Sequence, residues 1–257
     1  MDPRMHRRVR HDGGSDEVAV EEPLEIRVDG RPLAVTMRTP GHDEELALGF
    51  LHGEGLIGGP HPVALGAELE ANTVDVEGPL LADPGERSFY ATSSCGVCGK
   101  GAIDEVAVAS APLGPGPAVA RGLLASLPDR LAQPAFELTG GLHATGLFDA
   151  AGDPLCVRED VGRHNAMDKV IGWALGAERV PLSEALLCVS GRLSFELGQK
   201  AAVAGCPVLV GVGAPSSLAI DLAAERGMTL CGFAREGRLN VYAGADRVGT
   251  GRAAGGA

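Results

Sequence analysis

Apolar and polar positions alternate with a period of two over Glu21–Met37. Leu24, Ile26 and Val28 share one face, and Leu33, Val35 and Met37 resume the alternation after Asp29-Gly30. This pattern predicts a β-hairpin turning at Asp-Gly. Thr39-Pro40-Gly41 opens a new element, with Thr39 as cap, Pro40 at the first helical position, and Asp43, Glu44 and Glu45 suiting the positive end of a helix. Leu46, Phe50 and Leu51 begin its packing face, and the helix is expected to fray near Gly53–Gly59. Val74–Val76 and Ser88–Thr92 read as strands, with a loop of breakers over Gly78–Gly85.

The second half alternates strand and helix. Residues 118–127 look helical, and Leu155–Arg158 reads as a strand after the turn at Gly152-Asp153-Pro154. Met167, Val170, Ile171, Ala174 and Leu175 recur at helical spacing, which predicts a helix over 164–176 with a narrow apolar face. Strands are expected at Leu186–Ser190, Pro207–Val212, Met228–Phe233 and Arg238–Tyr242, with helices over 194–204 and from Ser216 or Ser217 to Ala224. The succession argues for an α/β fold on a parallel or mixed layered sheet. The expected division is a flexible basic tail over 1–17, a smaller β-rich part over 18–110 with a helix near 40–57, a main α/β domain over 111–248, and a flexible tail over 249–257.

Composition narrows the function. The chain has 257 residues, 45% hydrophobic but only 4% aromatic, so the core rests on Leu, Val, Ala and Ile. Its net charge of −12 disfavours nonspecific binding to long nucleic acid, while leaving room for a small nucleotide at a local anion site. No apolar run approaches the ~20 residues that cross a bilayer, and no apolar h-region follows the basic N-terminus. Six cysteines stand at 95, 98, 156, 188, 206 and 231. The last four lie in or beside apolar segments, where free cysteine serves as a buried residue. The spacing is not that of a disulfide-dense secreted domain, so a reducing cytoplasm is the expected setting.

Cys95 and Cys98 stand apart, in Thr92–Gly101, TSSCGVCGKG. Gly96 and Gly99 raise the cost of regular structure there and predict a turned loop presenting two thiols. A free thiol titrates near 8.5, and lowering that by about two units is worth about 2.7 kcal/mol. Lys100 and backbone N–H groups are sources of such stabilisation. Three chemistries fit a close thiol pair: disulfide exchange, half of a zinc site, and carriage of sulfur as a persulfide.

Polar residues gather at strand-to-helix junctions, a usual place for α/β sites. In Arg158–Lys169, REDVGRHNAMDK, Asp160 and Asn165 are candidate caps or ligand acceptors, and Arg158, Arg163 and Lys169 candidate anion contacts. His164 and Asp168, four apart, share a helix face and make an oriented proton-transfer pair possible. In Val189–Glu196, Arg192 can engage an anion and Ser190 or Ser194 can donate a hydrogen bond. Ser216 and Ser217 precede a helix whose free N–H groups can receive phosphate. Local capping and salt bridges are the competing explanation at each junction. There is no Walker-type loop and no dinucleotide fingerprint. His143 invites comparison with zinc deaminases, but His143-Ala144-Thr145 lacks their glutamate and the cysteine pair precedes the histidine.

Several stretches occur in an order that resembles the formate dehydrogenase accessory sulfurtransferase family: Glu21–Leu24, Met37–Phe50, Ser94–Gly99, Thr139–Ala144, Asp160–Lys169, Ser190–Glu196 and Ala214–Ser217. The resemblance covers about residues 18–243. It implies a cytoplasmic protein needed for active formate dehydrogenase. Such a protein takes sulfur from a cysteine desulfurase as a persulfide and delivers it to the molybdenum or tungsten bis-pterin guanine dinucleotide cofactor. Cys95 is then the principal carrier and Cys98 its partner. The family also implies a main domain similar to the three-layer cytidine deaminase fold without deaminase chemistry, and a homodimer. It further implies a pocket for the guanine part of the cofactor, with GDP or GMP as partial mimics. The contacts expected there are His143, Arg158, Asp160, Arg163, His164, Asn165, Asp168, Lys169, Ser190, Arg192, Ser194, Ser216 and Ser217. No permanently bound cofactor or metal is expected. The rival readings are a thiol–disulfide oxidoreductase and a zinc-stabilised nucleotide-binding scaffold.

Overall fold

Two sheets meet on one apolar core through a pair of crossing helices. The computed structural model describes residues 2–66, 72–82, 89–90, 108 and 110–249. Cys95 and Cys98, the rest of Thr92–Gly101 and the final eight residues lie outside them.

The chain opens with strands β1 (His6–His11) and β2 (Gly14–Ala19), paired antiparallel. The predicted unordered basic tail is therefore a hairpin in this structure. Arg8 and His6 both reach Glu17 across it, at 2.8 and 3.0 Å. Met5 beneath it packs with Ala135 and Leu142. Cross-strand charge pairing supplies what apolar alternation does not.

Next come β3 (Glu22–Val28) and β4 (Arg31–Arg38), the predicted hairpin. Asp29 and Gly30 both take positive φ, 47° and 75°, as a two-residue turn of this kind requires. Helix α1 follows (Asp43–Gly53), then β5 (Val63–Leu65), β6 (Thr73–Val76) and β7 (Phe89–Tyr90). The five strands order as β5-β6-β3-β4-β7. Thr39 is not the helix cap and Pro40 is not in the first turn. Gly41 and His42 take positive φ (104° and 59°), which delays the start of α1 to Asp43. Thr39 instead donates its N–H to Asp160 at 3.1 Å and its hydroxyl to the Val20 carbonyl.

Past β8 (Val119–Ala120), α2 (Arg121–Ser126) and α3 (Pro134–Thr139) precede β9 (His143–Phe148) and β10 (Pro154–Asp160). Then come α4 (Arg163–Gly176), β11 (Leu186–Val189), α5 (Phe195–Val203), β12 (Val208–Gly211), α6 (Ser217–Arg226), β13 (Thr229–Arg235), β14 (Arg238–Ala243) and the short β15 (Val248–Gly249). The main sheet runs β10-β9-β11-β12-β13-β14. β11, β12 and β13 are parallel, while β9 and β14 run against their neighbours.

Alternation along these strands builds two cores. Leu187, Val189, Leu209 and Leu230 enter the larger one with α1, α4, α5 and α6. Leu186, Cys188, Val208, Val210 and Cys231 enter the other, under Leu124, Ala125, Leu127 and Leu131. The main sheet is thus covered on both faces. Leu24, Ile26, Ala34, Val74 and Val76 of the five-stranded sheet join the larger core, so the two sheets share it.

The α1–α4 crossing is the joint. A Cβ on Gly49 would lie 1.8 Å from the Asp168 carbonyl oxygen, and one on Gly172 would lie 1.8 Å from that of Glu45. Two glycines therefore let the backbones touch. Helix α4 does not bury a narrow stripe: every residue from Asn165 to Gly172 is buried, three of them polar or charged. A helix enclosed between two sheets has little solvent face to show a period.

Candidate functional site

The ends of β10, β11 and β12 lead into α4, α5 and α6 at one edge of the main sheet. Ligands of open α/β sheets collect at this edge. Ser194 caps α5 by accepting the Leu197 N–H at 3.4 Å, and Ser216 caps α6 by accepting the Ala219 N–H at 3.2 Å. Ser190 accepts the Ala144 N–H at 2.9 Å, fixing the start of the β11–α5 loop against β9. That loop is stitched to the β12–α6 loop. Gly213 donates to the Gly191 carbonyl, Leu193 to Ala214, and Ser216 to Leu193, all within 3.0 Å. Glycine is needed at 213, where a Cβ would sit 2.9 Å from the Arg192 Cα.

Around the 190–194 loop the structure gathers His143, Arg163, His164, Ser190, Arg192 and Ser194. A Cβ on Gly191 would stand 3.4 Å from His143 Nδ1 and 4.0 Å from Arg163 Cδ, so the bare glycine separates two polar side chains. The Arg163 Nε is buried without a hydrogen-bond partner among the described residues. Arg192 is exposed. Burial, and then the charges of Arg163 and His164, hold His143 below the usual imidazole range. It is therefore a neutral hydrogen-bonding group near pH 7 rather than a cation. Ser216 and Ser217 are exposed at the next junction. Two arginines beside a glycine floor and capped helix starts suit an anion.

The expected pairing of His164 with Asp168 does not form. His164 Nε2 lies 2.8 Å from Glu196 Oε2 and 3.2 Å from Ser194 Oγ. Asp168 instead meets Lys200, at 2.8 Å and almost fully buried. Helices α4 and α5 thus exchange two pairs, each four residues along its own helix. Sharing a face made the sequence pairing plausible, but α5 supplies closer partners of opposite charge.

The remaining candidates face inward. Lys169 Nζ contacts Asp160 Oδ2 at 2.7 Å and donates to the Thr39 carbonyl at 2.8 Å; both charged side chains are wholly buried. Asp160 Oδ1 accepts from Gly162 and Asn165, at 2.8 and 3.0 Å. Asn165 also donates to the Met37 carbonyl and accepts from Thr36 Oγ1. Arg158 grips Glu45 with two bonds of 2.6 and 2.7 Å. Asp160, Asn165, Lys169 and Arg158 thereby tie the main sheet and α4 to the N-terminal half.

Two residues escaped the sequence reading. Glu196 stood inside the quoted Ser190–Glu196 stretch, but its partner is visible only once α4 and α5 pack. Phe233 was read only as the last residue of the predicted strand Met228–Phe233 and lies within β13; it is 41% exposed, has a left-handed φ of 53°, and donates its N–H to the Gly213 carbonyl. Together with Arg235, Arg238, Leu239 and Asn240 it lines a cleft of about 320 Å³. A second cleft of about 370 Å³ lies between the end of α6 and Arg247. Neither is lined by the 190–194 cluster, although hydrogen bonding to Gly213 places Phe233 beside the adjoining loop. Among the described residues, no group of three or more His, Cys, Asp or Glu is placed to hold a metal ion.

The described residues form a mixed α/β fold with an arginine-flanked polar cluster at the parallel strand ends of its main sheet. The model of the FdhD/NarQ family matches residues 19–249, and the chain belongs to that family. It is 53% identical over 251 residues to the sulfur carrier protein FdhD of Streptomyces coelicolor, covering 91% of this chain and 89% of that protein. It is 50% identical over 270 residues to the sulfur carrier protein FdhD of Mycobacterium tuberculosis, covering 95% and 98%. A crystal structure from Desulfotalea psychrophila, assigned as a formate dehydrogenase accessory protein, matches with a TM-score of 0.75 at 26% identity, covering 95% of this chain and 97% of that one. The family resemblance carried by the ordered motifs holds.

Proposed function

We propose that this protein is a sulfur carrier serving formate dehydrogenase. Cys95 accepts the terminal sulfur of a cysteine desulfurase persulfide, the desulfurase thiolate leaves, and Cys95 carries the sulfur as its own persulfide. The recipient is the molybdenum or tungsten bis-pterin guanine dinucleotide cofactor, bound as substrate. Its phosphates meet Arg163 and Arg192, with hydrogen bonds from His143 and the capped helix starts. The exposed ring of Phe233 offers a face on which a fused heterocycle can stack. Cys98 assists, either by shielding the persulfide or by attacking it to form a Cys95–Cys98 disulfide and release hydrogen sulfide. The working protein is a cytoplasmic homodimer.

The observation that carries this reading is the state of the other thiols. Cys156, Cys188, Cys206 and Cys231 are all buried. Burial pushes Cys156, Cys206 and Cys231 up to about 12, and Cys188 is raised as well. A thiol titrating there is ionised to only about one part in 10⁵ at pH 7, too little for a nucleophile. A sulfur-carrying role in this family therefore falls to Cys95 and Cys98. β7 runs parallel to β4, Val35 opposite Tyr90, and so heads toward Met37, whose carbonyl Asn165 holds beside Gly162. Cys95 is the fifth residue after Tyr90 in the sequence, and five residues of chain span at most about 18 Å.

Mass analysis after incubation with a cysteine desulfurase and cysteine tests the reading. One added sulfur on Cys95, absent in Cys95→Ala, is expected, and it should leave when the cofactor is supplied. Loss of two hydrogens alone indicates a thiol–disulfide oxidoreductase. Stoichiometric zinc blocking both thiols indicates a scaffold.

A further inference from the structure

No residue of β1 or β2 is buried, yet the segment is built as a paired ribbon. We propose that the free edge of β1 is a docking site for an acidic, extended segment of a partner protein, which adds to the hairpin as a third strand. Residues 6–18 lie ahead of the stretch that the family model matches. The inference stands apart from the nucleotide reading above.

Register fixes which backbone groups are free. β1 and β2 pair from His6 opposite Ala19 to His11 opposite Gly14. Just before them, the Val20 N–H donates to the Met5 carbonyl at 2.9 Å. Bonded and non-bonded pairs alternate along an antiparallel ladder. Arg7, Val9 and His11 therefore bond to β2, while the N–H and C=O groups of His6, Arg8 and Arg10 face the other way. β2 lies against α3, and among the described residues no strand pairs with the outer side of β1. Every residue from Arg7 to His11 is exposed. A two-stranded ribbon is marginal by itself in water, and a third strand is what it lacks. Met5, packed with Ala135 and Leu142, anchors its base.

Charge selects the occupant. Pro3–His11 holds four arginines and no acidic residue, on a chain of net charge −12. Arg4 is paired with Asp2, and Arg8 with Glu17. Arg7 and Arg10 have no ion-pair partner among the described residues. They stand on opposite faces of the ribbon, across from Val18 and Ser15. Asp12 and Asp16 sit near the turn, Asp16 Oδ2 3.4 Å from His11 Nε2. A strand with carboxylates on both faces would meet Arg7 and Arg10 while its backbone bonds the free edge. A second copy of β1 would set arginine against arginine, so the same charges turn away self-pairing. The acidic remainder of the chain repels an acidic partner and directs it to the hairpin. A nucleic acid would use the arginines but not the backbone edge.

The test is amide NMR of the isotope-labelled full-length protein, titrated with the peptide Glu-Val-Glu-Glu-Val-Glu at millimolar concentration. Binding should shift the amides of His6, Arg8 and Arg10 and slow their hydrogen exchange, leaving exchange at Arg7 and Val9 unchanged. Reversing both free cations, Arg7→Glu with Arg10→Glu, should weaken binding about tenfold or more. The peptide with lysine in place of glutamate should not bind. Methylating alternate peptide nitrogens should abolish binding in one of the two possible phases, because it removes the N–H groups that meet β1. Full binding by both methylated peptides overturns strand addition, and that arm uses the wild-type protein alone. No shift at β1 overturns the proposal. So does an oligothymidylate that displaces the peptide without protecting the edge amides, which would make the hairpin a nucleic-acid contact.

Discussion

Gly172→Ala should be strongly destabilising although alanine is the better helix former. The new Cβ would stand 1.8 Å from the Glu45 carbonyl oxygen. Ordinary contact needs about 3.4 Å, so α1 and α4 must separate by about 1.6 Å at their crossing. The obstacle is backbone and cannot rotate aside. Overpacking of a close-packed core costs about 1–3 kcal/mol even where side chains yield. Here the separation also thins the packing of Leu46, Met167, Val170 and Ile171, all fully buried, since a gap of 0.5–1 Å already forfeits about a quarter to a half of each dispersion contact. Helix propensity returns only about 1 kcal/mol. The net loss should be about 3 kcal/mol or more. Gly176, at the end of the same helix, is exposed and has nothing within 4 Å of its would-be Cβ. Gly176→Ala should therefore stabilise, by about 0.5–1 kcal/mol. Urea unfolding of both variants, compared at their midpoints with the slope checked for constancy, reads the two signs. A Gly172→Ala protein within about 0.5 kcal/mol of wild type would refute the backbone contact on which this reasoning stands.

Other consequences are equally open to measurement. Removing one member of the buried Asp160–Lys169 pair, by Asp160→Asn or Lys169→Met, should cost about 3–5 kcal/mol in urea unfolding, because the survivor is left uncompensated. A loss below about 1 kcal/mol would mean the pair is solvated. Native protein exposed to iodoacetamide near pH 8 should leave Cys156, Cys188, Cys206 and Cys231 unmodified by peptide mass mapping, and labelling of all four should follow unfolding. Rapid native labelling at any of them would remove the argument by which sulfur carriage falls to Cys95 and Cys98. Phe233→Gly should preserve or slightly raise stability, since a left-handed φ costs a non-glycine residue roughly 1–2 kcal/mol. It should weaken GDP binding if the ring stacks on the base. Unchanged GDP affinity would remove Phe233 from the site.

Much of the second half was legible because its strands are short apolar runs separated by helical periods. The predicted strands at Leu186–Ser190 and Pro207–Val212 differ from β11 and β12 only at their ends. The basic N-terminus was not legible. Its hairpin rests on Arg8 and His6 meeting Glu17, a pairing that a search for apolar alternation does not register. The start of α1 was misplaced because Thr-Pro is a sound opening in isolation. Only the packed structure shows that the Thr39 hydroxyl and N–H are committed to Val20 and Asp160. Phe233 was missed for a related reason: a left-handed phenylalanine at a register irregularity inside β13 violates local preference, and sequence reasoning follows local preference.

The stretch Asp160–Lys169 shows why residue density alone does not separate support from contact. Its polar side chains divide by the direction they face from the end of β10 and from α4. Asp160, Asn165 and Lys169 point back to Thr36, Met37 and Thr39, where buried charges find carbonyls and each other. Arg163 and His164, on the first turn, point toward the 190–194 loop, where Arg163 Nε has no hydrogen-bond partner among the described residues and His164 leans on Glu196. The two sets need one another. Close backbone approach at Gly49 and Gly172 brings α1 against α4, and the inward set fixes the end of β4 against the start of α4. β7 lies along β4 and precedes the cysteine pair in the sequence. Loosening the inward set should therefore disturb both the cation cluster and the course of β7. A Lys169 variant that stays folded should lose GDP affinity and sulfur discharge together. If sulfur discharge were lost while GDP affinity stayed intact, the two halves of the site would be held by separate parts of the fold, and this linkage would be wrong.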